Sequence, residues 1–236
     1  MKPARILIVS NGPLCRNPRI VKEASTLGAA GYEVIVLTVR NHPPSEPLDL
    51  ALLRGAPYRR ETVDLFPGRS FRHPERFRRN LVQWLARQAT RRLGWQTPRA
   101  LGPMGPLRRR ARQIPADLTI VHNEVAHWVG VSLLRGGRRV AGDIEDWHSE
   151  DLLPADRAHR PLRLLQATES ALLRRAAYTS TTSHALADAL HRRYGGLRPH
   201  VITNSFPLPP PPGRPGPGDP PVFFWFSQTV GPGRGL

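Results

Sequence analysis

Residues 5–38, RILIVSNGPLCRNPRIVKEASTLGAAGYEVIVLT, decide the fold. Arg5 to Ser10 is a short continuous apolar run, the pattern of a strand covered on both faces in a parallel sheet. Asn11, Gly12 and Pro13 turn the chain. Asn17 stands where a helix N-cap is expected, with Pro18 at the first helical position. Ile20, Val21, Ala24, Leu27 and Gly28 then recur at helical spacing as far as Gly31, a helix stop. Glu33 to Val39 reads as the next buried strand. Strand, helix and strand within about forty residues make the βαβ unit of a doubly wound α/β fold.

The same alternation returns after residue 115. Strands are expected over 117–122, 139–143, 178–183 and 200–203, and helices over 126–134, 162–177 and 184–194. The fold class is therefore α/β, a Rossmann-like doubly wound parallel sheet with helices on both sides. Residues 41–115 are basic and punctuated by proline, and their spacing says little beyond one helix. In it Phe77, Leu81, Trp84, Leu85, Gln88 and Leu93 share a face while Arg76, Arg78, Arg79, Arg87, Arg91 and Arg92 crowd the other sides. Two readings of this segment stay open. Its apolar face packs on the core and its arginines are solvated, or it lies in the headgroup region of an anionic membrane. Residues 207–221 form a Pro-rich linker, and 222–236 read as the first strand and turn of a second domain that the chain does not complete. Residues 1–206 are the complete domain.

With 35 Lys and Arg against 18 Asp and Glu, the 236-residue chain carries a formal charge of +17. Nearly all of the positive charge is arginine, since lysine occurs only at Lys2 and Lys22. Such a surface attracts phosphates, anionic lipids or nucleic acid. Charge alone is weak evidence for nucleic acid, because no recognisable nucleic-acid fold or aromatic stacking surface accompanies it. The single cysteine, Cys15, rules out an internal disulfide and fits a reducing compartment. No apolar stretch has the ~20 residues of a membrane span, and no signal-peptide pattern opens the chain. A cytoplasmic protein, peripheral on the inner face of the membrane if 76–93 docks there, is the simplest reading.

In a doubly wound sheet, ligands bind where strands end at their C-terminal edge. The polar residues just past each strand are Asn11 and Gly12, His122 and Asn123, Asp146 and His148, Ser183, and Asn204. Any one of them taken alone is as readily a loop polar group or helix cap; their recurrence argues a shared cleft. Gly12 resembles a phosphate-cradling turn, because a residue without Cβ lets backbone amides approach an anion. The full GxGxxG and Walker patterns are absent. His122 and His148 have the chemistry of an acid, base or hydrogen-bond donor, or of structural histidines. The acidic stretch Asp143, Glu145, Asp146, Glu150 and Asp151 lacks a second ligand cluster, so no metal is expected. Cys15 beside Arg16 lacks a motif partner for nucleophilic work.

The opening segment, together with DLTIVHNE, GDIEDWHSED, ESALLRRAAYTSTTSHALADAL with HVITNSFP, and VFFWFSQTVGPGRGL, resembles the family 4-type glycosyltransferases of GT-B architecture, in order and spacing. The resemblance covers the chain except for roughly residues 41–115. It implies two Rossmann-like domains facing across a cleft, the N-terminal one for the acceptor and the C-terminal one for the nucleotide-sugar donor, with retention of anomeric configuration. The implied partners are a nucleotide-sugar donor and a sugar or lipid-linked acceptor, with no nucleic acid and no metal or other cofactor. By position, Gly12 faces the donor diphosphate, His122 is the catalytic candidate beside the reacting sugar, and His148 lies at the cleft wall. Arg234 in GPGRGL, adjoining Gly235, corresponds to the basic residue that holds the donor phosphates. Gln228 stands where a second basic residue is often found. The family's donor-sugar glutamates fall beyond Leu236, so residues 1–236 alone are expected to be inactive. A non-catalytic binding module derived from such a half and, less well supported, a basic nucleic-acid-binding protein are the alternatives.

Overall fold

The computed structural model describes residues 3–65, 74–206 and 208. The chain divides into two units, residues 1–203 and 204–236. Apart from Leu208, the sequence-predicted linker lies outside the described residues, as do the final strand, Arg234 and Gly235.

The first unit is built on a seven-stranded sheet, every pairing parallel, in the order β3-β2-β1-β4-β5-β6-β7. The strands are β1 (Arg5–Val9), β2 (Glu33–Arg40), β3 (Arg59–Asp64), β4 (Leu118–His122), β5 (Val140–Ile144), β6 (Thr179–Thr181) and β7 (His200–Val201). The helices are α1 (Pro18–Ala29), α2 (Glu46–Leu52), α3 (Pro74–Leu93), α4 (Met104–Gln113), α5 (Asn123–Leu134), α6 (Pro154–Arg157), α7 (Leu162–Arg175) and α8 (His184–Tyr194). The sheet is the Rossmann-like doubly wound one that the βαβ pattern predicts. Ile6 and Ile8 pack on one face with Ile20 and Ala24 of α1, while Leu7 and Val9 pack on the other with residues of α4, α5 and α7. That alternation is why the buried strands read as unbroken apolar runs.

One local expectation changes. Asn17 precedes α1 with Pro18 at its first position, but its side chain makes no cap hydrogen bond. Instead Nδ2 donates to the Pro13 carbonyl at 2.6 Å, tightening the turn after β1. The helix does end as expected, with Gly31 at φ +91°. Gly28 is required by contact, because a Cβ there would meet the Pro57 carbonyl oxygen at 2.2 Å.

Among the described residues, region 41–115 holds one edge strand and three α-helices. β3 reads RRETVD and is nowhere fully buried, so no apolar run announces it; charged residues on an edge strand discourage pairing with another sheet. On α3, the core-facing reading of the apolar face does not hold. Phe77, Leu81, Trp84, Leu85 and Leu93 are exposed, and the helix buries Ala86 and Thr90 instead.

Candidate functional site

Because β1 has β2 on one side and β4 on the other, the strand order reverses there, and loops leaving the two strands diverge to leave a crevice at their C-terminal ends. Ser10, fully buried at the end of β1, ties the two loops together. Its Oγ accepts from the Gly12 amide at 3.3 Å and from Asn123 Nδ2 at 2.9 Å. Asn123 has φ +59°, alone in the left-handed region among the described non-glycine residues; asparagine tolerates that conformation better than most. Its Oδ1 is buried with no hydrogen-bond partner among the described residues. Asn41 Nδ2 donates to the Asn11 carbonyl at 3.3 Å, joining the loop after β2 to the same place. Asn11, Gly12 and Asn123 are thus brought together.

The donors next to Gly12 are already engaged. The amides of Leu14 and Cys15 donate to Asp49 at 3.1 and 2.8 Å, and Asp49 in turn accepts from Arg60 Nη1 at 2.8 Å. A carboxylate of α2 occupies amides that an anion-cradling turn would offer. Burial pushes the Cys15 thiol up rather than toward the reactive thiolate.

His122 ends β4 with 4% of its surface exposed. Its Nε2 lies 2.7 Å from Glu23 Oε2, and its Nδ1 lies 3.1 Å from Asp143 Oδ2. Burial by itself would lower the imidazole, but hydrogen bonds to Asp143 and Glu23 overcome it and raise the ring to about 9. Asp143, 2% exposed, also accepts from Arg19 Nε and Nη2 at 2.6 and 2.7 Å and from Ser180 Oγ at 2.6 Å. Burial opposes its ionisation, yet His122 and Arg19 hold the carboxyl below the usual range. Two cations and two carboxylates therefore interlock α1 with the ends of β4, β5 and β6. Both ring nitrogens of His122 are taken within this network.

At the end of β5, the His148 ring packs 5.4 Å from the ring of His127, whose Nε2 is 2.7 Å from the Asp143 carbonyl oxygen. Burial, then the neighbouring His148, push His127 down to about 3, so it is neutral at physiological pH. His148 Nδ1 is 3.6 Å from Asp151, and no hydrogen bond to its Nε2 occurs among the described residues. The next residue, Ser149, donates through its amide and Oγ to the buried Glu169 at 3.0 and 2.8 Å, and Tyr194 OH joins them at 2.7 Å. That cluster anchors the loop to α7 and α8. Asp146 is exposed in the same loop. Ser183 caps α8, accepting from the Leu186 amide at 3.2 Å. Asn204 belongs to the second unit.

The acidic stretch is dispersed. Asp143 faces Arg19 and His122, Glu150 pairs with Arg157, and Asp151 approaches Arg160. Among the described residues no three potential ligands gather for a metal ion.

Two cavities open against this edge. One, of about 260 Å³, is lined by Asn11 and Asn41 from the sheet side, by Arg79 and Asn80 of α3, and by Leu107 of α4 and Val125 of α5. The other, of about 390 Å³, shares Arg79, Gln83, Gly102 and Pro103 with the first and continues to Arg99, Arg108 and Trp128. Sequence reasoning singled out Asn11 and, on the arginine-rich face of α3, Arg79; it missed the others, because most sit in the region where periodicity is weak. It also missed Arg19, Glu23 and Asp49, helix residues with no motif around them.

No protein-family model matches the sequence, and no curated protein does. Solved structures do resemble it. The Arabidopsis thaliana protein UGT89C1 complexed with UDP has a TM-score of 0.49 at 11% identity over 88% of this chain and 53% of the other. The same protein complexed with quercetin has a TM-score of 0.49 at 13% identity over 88% and 51%. Sucrose-phosphate synthase from Thermosynechococcus elongatus has a TM-score of 0.42 at 17% identity over 84% and 87%. The chain spans about half the length of the plant protein.

Proposed function

We propose that this chain is the acceptor-binding part of a nucleotide-sugar-dependent glycosyltransferase of GT-B architecture, similar to the family 4-type enzymes and retaining. The observation that carries the reading is the cavity beside the β1–β4 switch point, where Asn11, Asn41 and Arg79 line a space about 260 Å³ in volume. Open α/β sheets bind ligands at such a point, and a sugar hydroxyl is well matched by amide and guanidinium donors. In this reading Asn11 and Asn41 orient the acceptor, while Gly12 and Asn123 shape the crevice.

His122 is a positioning residue in this proposal. Locked between Glu23 and Asp143, its charged ring holds the end of β4 against α1 and keeps the crevice floor in register. His148, with Nε2 unengaged among the described residues, is the histidine better placed to meet a ligand. Asp146, Ser183 and Asn204 remain further cleft candidates, and Arg234 with Gly235 would hold the donor diphosphate. The domain division at 206 and the linker over 207–221 belong to the same proposal.

The exposed face of α3 supports a second element, attachment to an anionic membrane. Phe77, Trp84 and Leu85 are more than half exposed, at 70%, 56% and 51%, and the exposed Arg78, Arg91 and Arg92 flank them. Apolar insertion combined with basic flanks fits an anionic bilayer. No helix among the described residues is long and apolar enough to cross a membrane.

The test is a panel of UDP-, GDP- and ADP-sugars with sugar and lipid acceptors, assayed by mass spectrometry on the protein as its gene encodes it. Transfer that falls at least tenfold in Asn41→Ala, with unchanged folding, supports the reading. Specific acceptor binding with no transfer from any donor would favour the non-catalytic binding module.

A further inference from the structure

We infer that the acceptor carries a phosphate, bound in the arginine-lined half of the paired cavities. The inference rests on the glycosyltransferase reading only for the word acceptor; the anion site follows from the cavity itself. Arg78 and Arg79 of α3, Arg99, and Arg108 of α4 all line the 390 Å³ cavity, together with Gln83 and Trp128. Among the described residues no carboxylate lines either cavity. In this chain that arrangement is selective, because most arginines near a carboxylate are taken. Arg19, Arg60, Arg110, Arg157 and Arg160 each pair with an acid.

Arg99 and Arg108 have no carboxylate partner among the described residues. Arg108 instead lies 5.5 Å from the centre of the Trp128 ring, which holds its guanidinium at the cavity wall. Arg79 donates Nη1 to the Leu65 carbonyl at 2.8 Å and Nε to Glu75 at 3.2 Å, so it is pre-set where the two cavities join. Gly102, also shared, has φ +144° and lies against the Gln83 side-chain amide. Arg78 and Arg79 share the single carboxylate of Glu75, so the four guanidinium groups keep a net positive charge, which a dianion held in their planar donor forks stabilises. The amide-lined cavity at the sheet edge then receives the rest of the molecule, with its hydroxyls beside the β1–β4 crevice.

A phosphomonoester of this kind reaches the site either on a soluble sugar phosphate or on a lipid headgroup, and the exposed Phe77 and Trp84 of α3 make the second source physically accessible. Calorimetry on the full chain with glucose 6-phosphate and with glucose, and flotation with vesicles containing phosphatidic acid or phosphatidylcholine alone, separate the sources. The expected result is binding of the phosphate-bearing probe, weakened by salt and reduced by about tenfold or more in Arg99→Gln with Arg108→Gln. The exposed pair Arg135→Gln with Arg139→Gln serves as a control of equal charge loss away from the cavity, and thermal melts establish that each variant folds. Binding of glucose 6-phosphate assigns a soluble source. Binding of phosphatidic acid vesicles alone, lost in the double variant, assigns a lipid headgroup. Glucose binding as tightly as its phosphate, no binding of either phosphate probe, or equal losses in the double variant and the control would overturn the inference. Phosphate binding without sugar transfer would leave this site standing and remove the transferase reading; transfer only to neutral acceptors would do the reverse.

Discussion

Asp143→Asn is the sharpest probe of the charged network under the crevice. The substitution keeps the shape of the side chain and removes its charge. It leaves Arg19, formerly bonded at 2.6 and 2.7 Å, and His122, at 3.1 Å, facing an amide in a site where Asp143 is 2% exposed. Removing one partner of a buried ion pair costs about 3–5 kcal/mol, a large share of a typical domain stability of about 5–15 kcal/mol. Part of that loss must depend on pH. The folded His122 is raised from 6.5 to about 9, burial opposing and Asp143 with Glu23 prevailing. A raised folded value means that the histidine's contribution is fully present below about pH 6.5 and fades as pH rises through about 9. A shift of that size corresponds to roughly 3 kcal/mol. Asp143 itself, held low, contributes above the ordinary carboxylate range and is lost only in strong acid. The difference between wild type and variant is therefore expected to be greatest near pH 6 and to shrink toward pH 9.5, by less than the full shift because Glu23 still holds the ring in the variant. Urea unfolding followed by tryptophan fluorescence at both pH values measures it. A loss below about 1 kcal/mol, or one that is the same at the two pH values, would refute the charged-network account.

His127, pushed down to about 3 mainly by burial, works in the opposite direction. Stability is expected to fall as pH drops from about 6.5 toward 3, and His127→Gln should flatten that limb in acid unfolding curves. Gly28→Ala should lower stability by about 1–3 kcal/mol, because the obstacle at 2.2 Å is the Pro57 backbone; Gly31→Ala, in open space at φ +91°, should cost about 1–2 kcal/mol from backbone strain alone. Thermal melts of the two variants separate clash from strain, and a silent Gly28→Ala would mean that the loop at Pro57 yields. For α3, flotation with anionic vesicles should fail in Phe77→Ser with Trp84→Ser and weaken as salt rises over a screening length of about 8 Å. Binding indifferent to lipid charge would count against attachment.

The sheet was legible because its central strands are buried on both faces and so are written as unbroken apolar runs, such as Ile6 to Val9 and Val34 to Leu37. Helices with one buried stripe, α1 and α8, were equally plain. With every strand parallel, that reading also places Gly12, His122, Asp146, His148 and Ser183 along one edge before any coordinate is seen. What lies between those residues was not legible. Whether the His122 ring is open or locked depends on Glu23 and Asp143, the first 99 residues away in sequence and on a different element. Likewise Asp49 occupies the amides of Leu14 and Cys15 from 35 and 34 residues away. The apolar stripe of α3 has the same periodicity whether it meets a core or solvent, so the sequence left both readings open and packing chose solvent. Hydrophobic burial repeats along the chain with the period of each element and so can be read from order alone; pairing of charges and the opening of a cavity depend on which distant residues the fold brings within about 3–4 Å, and only the tertiary structure decides that.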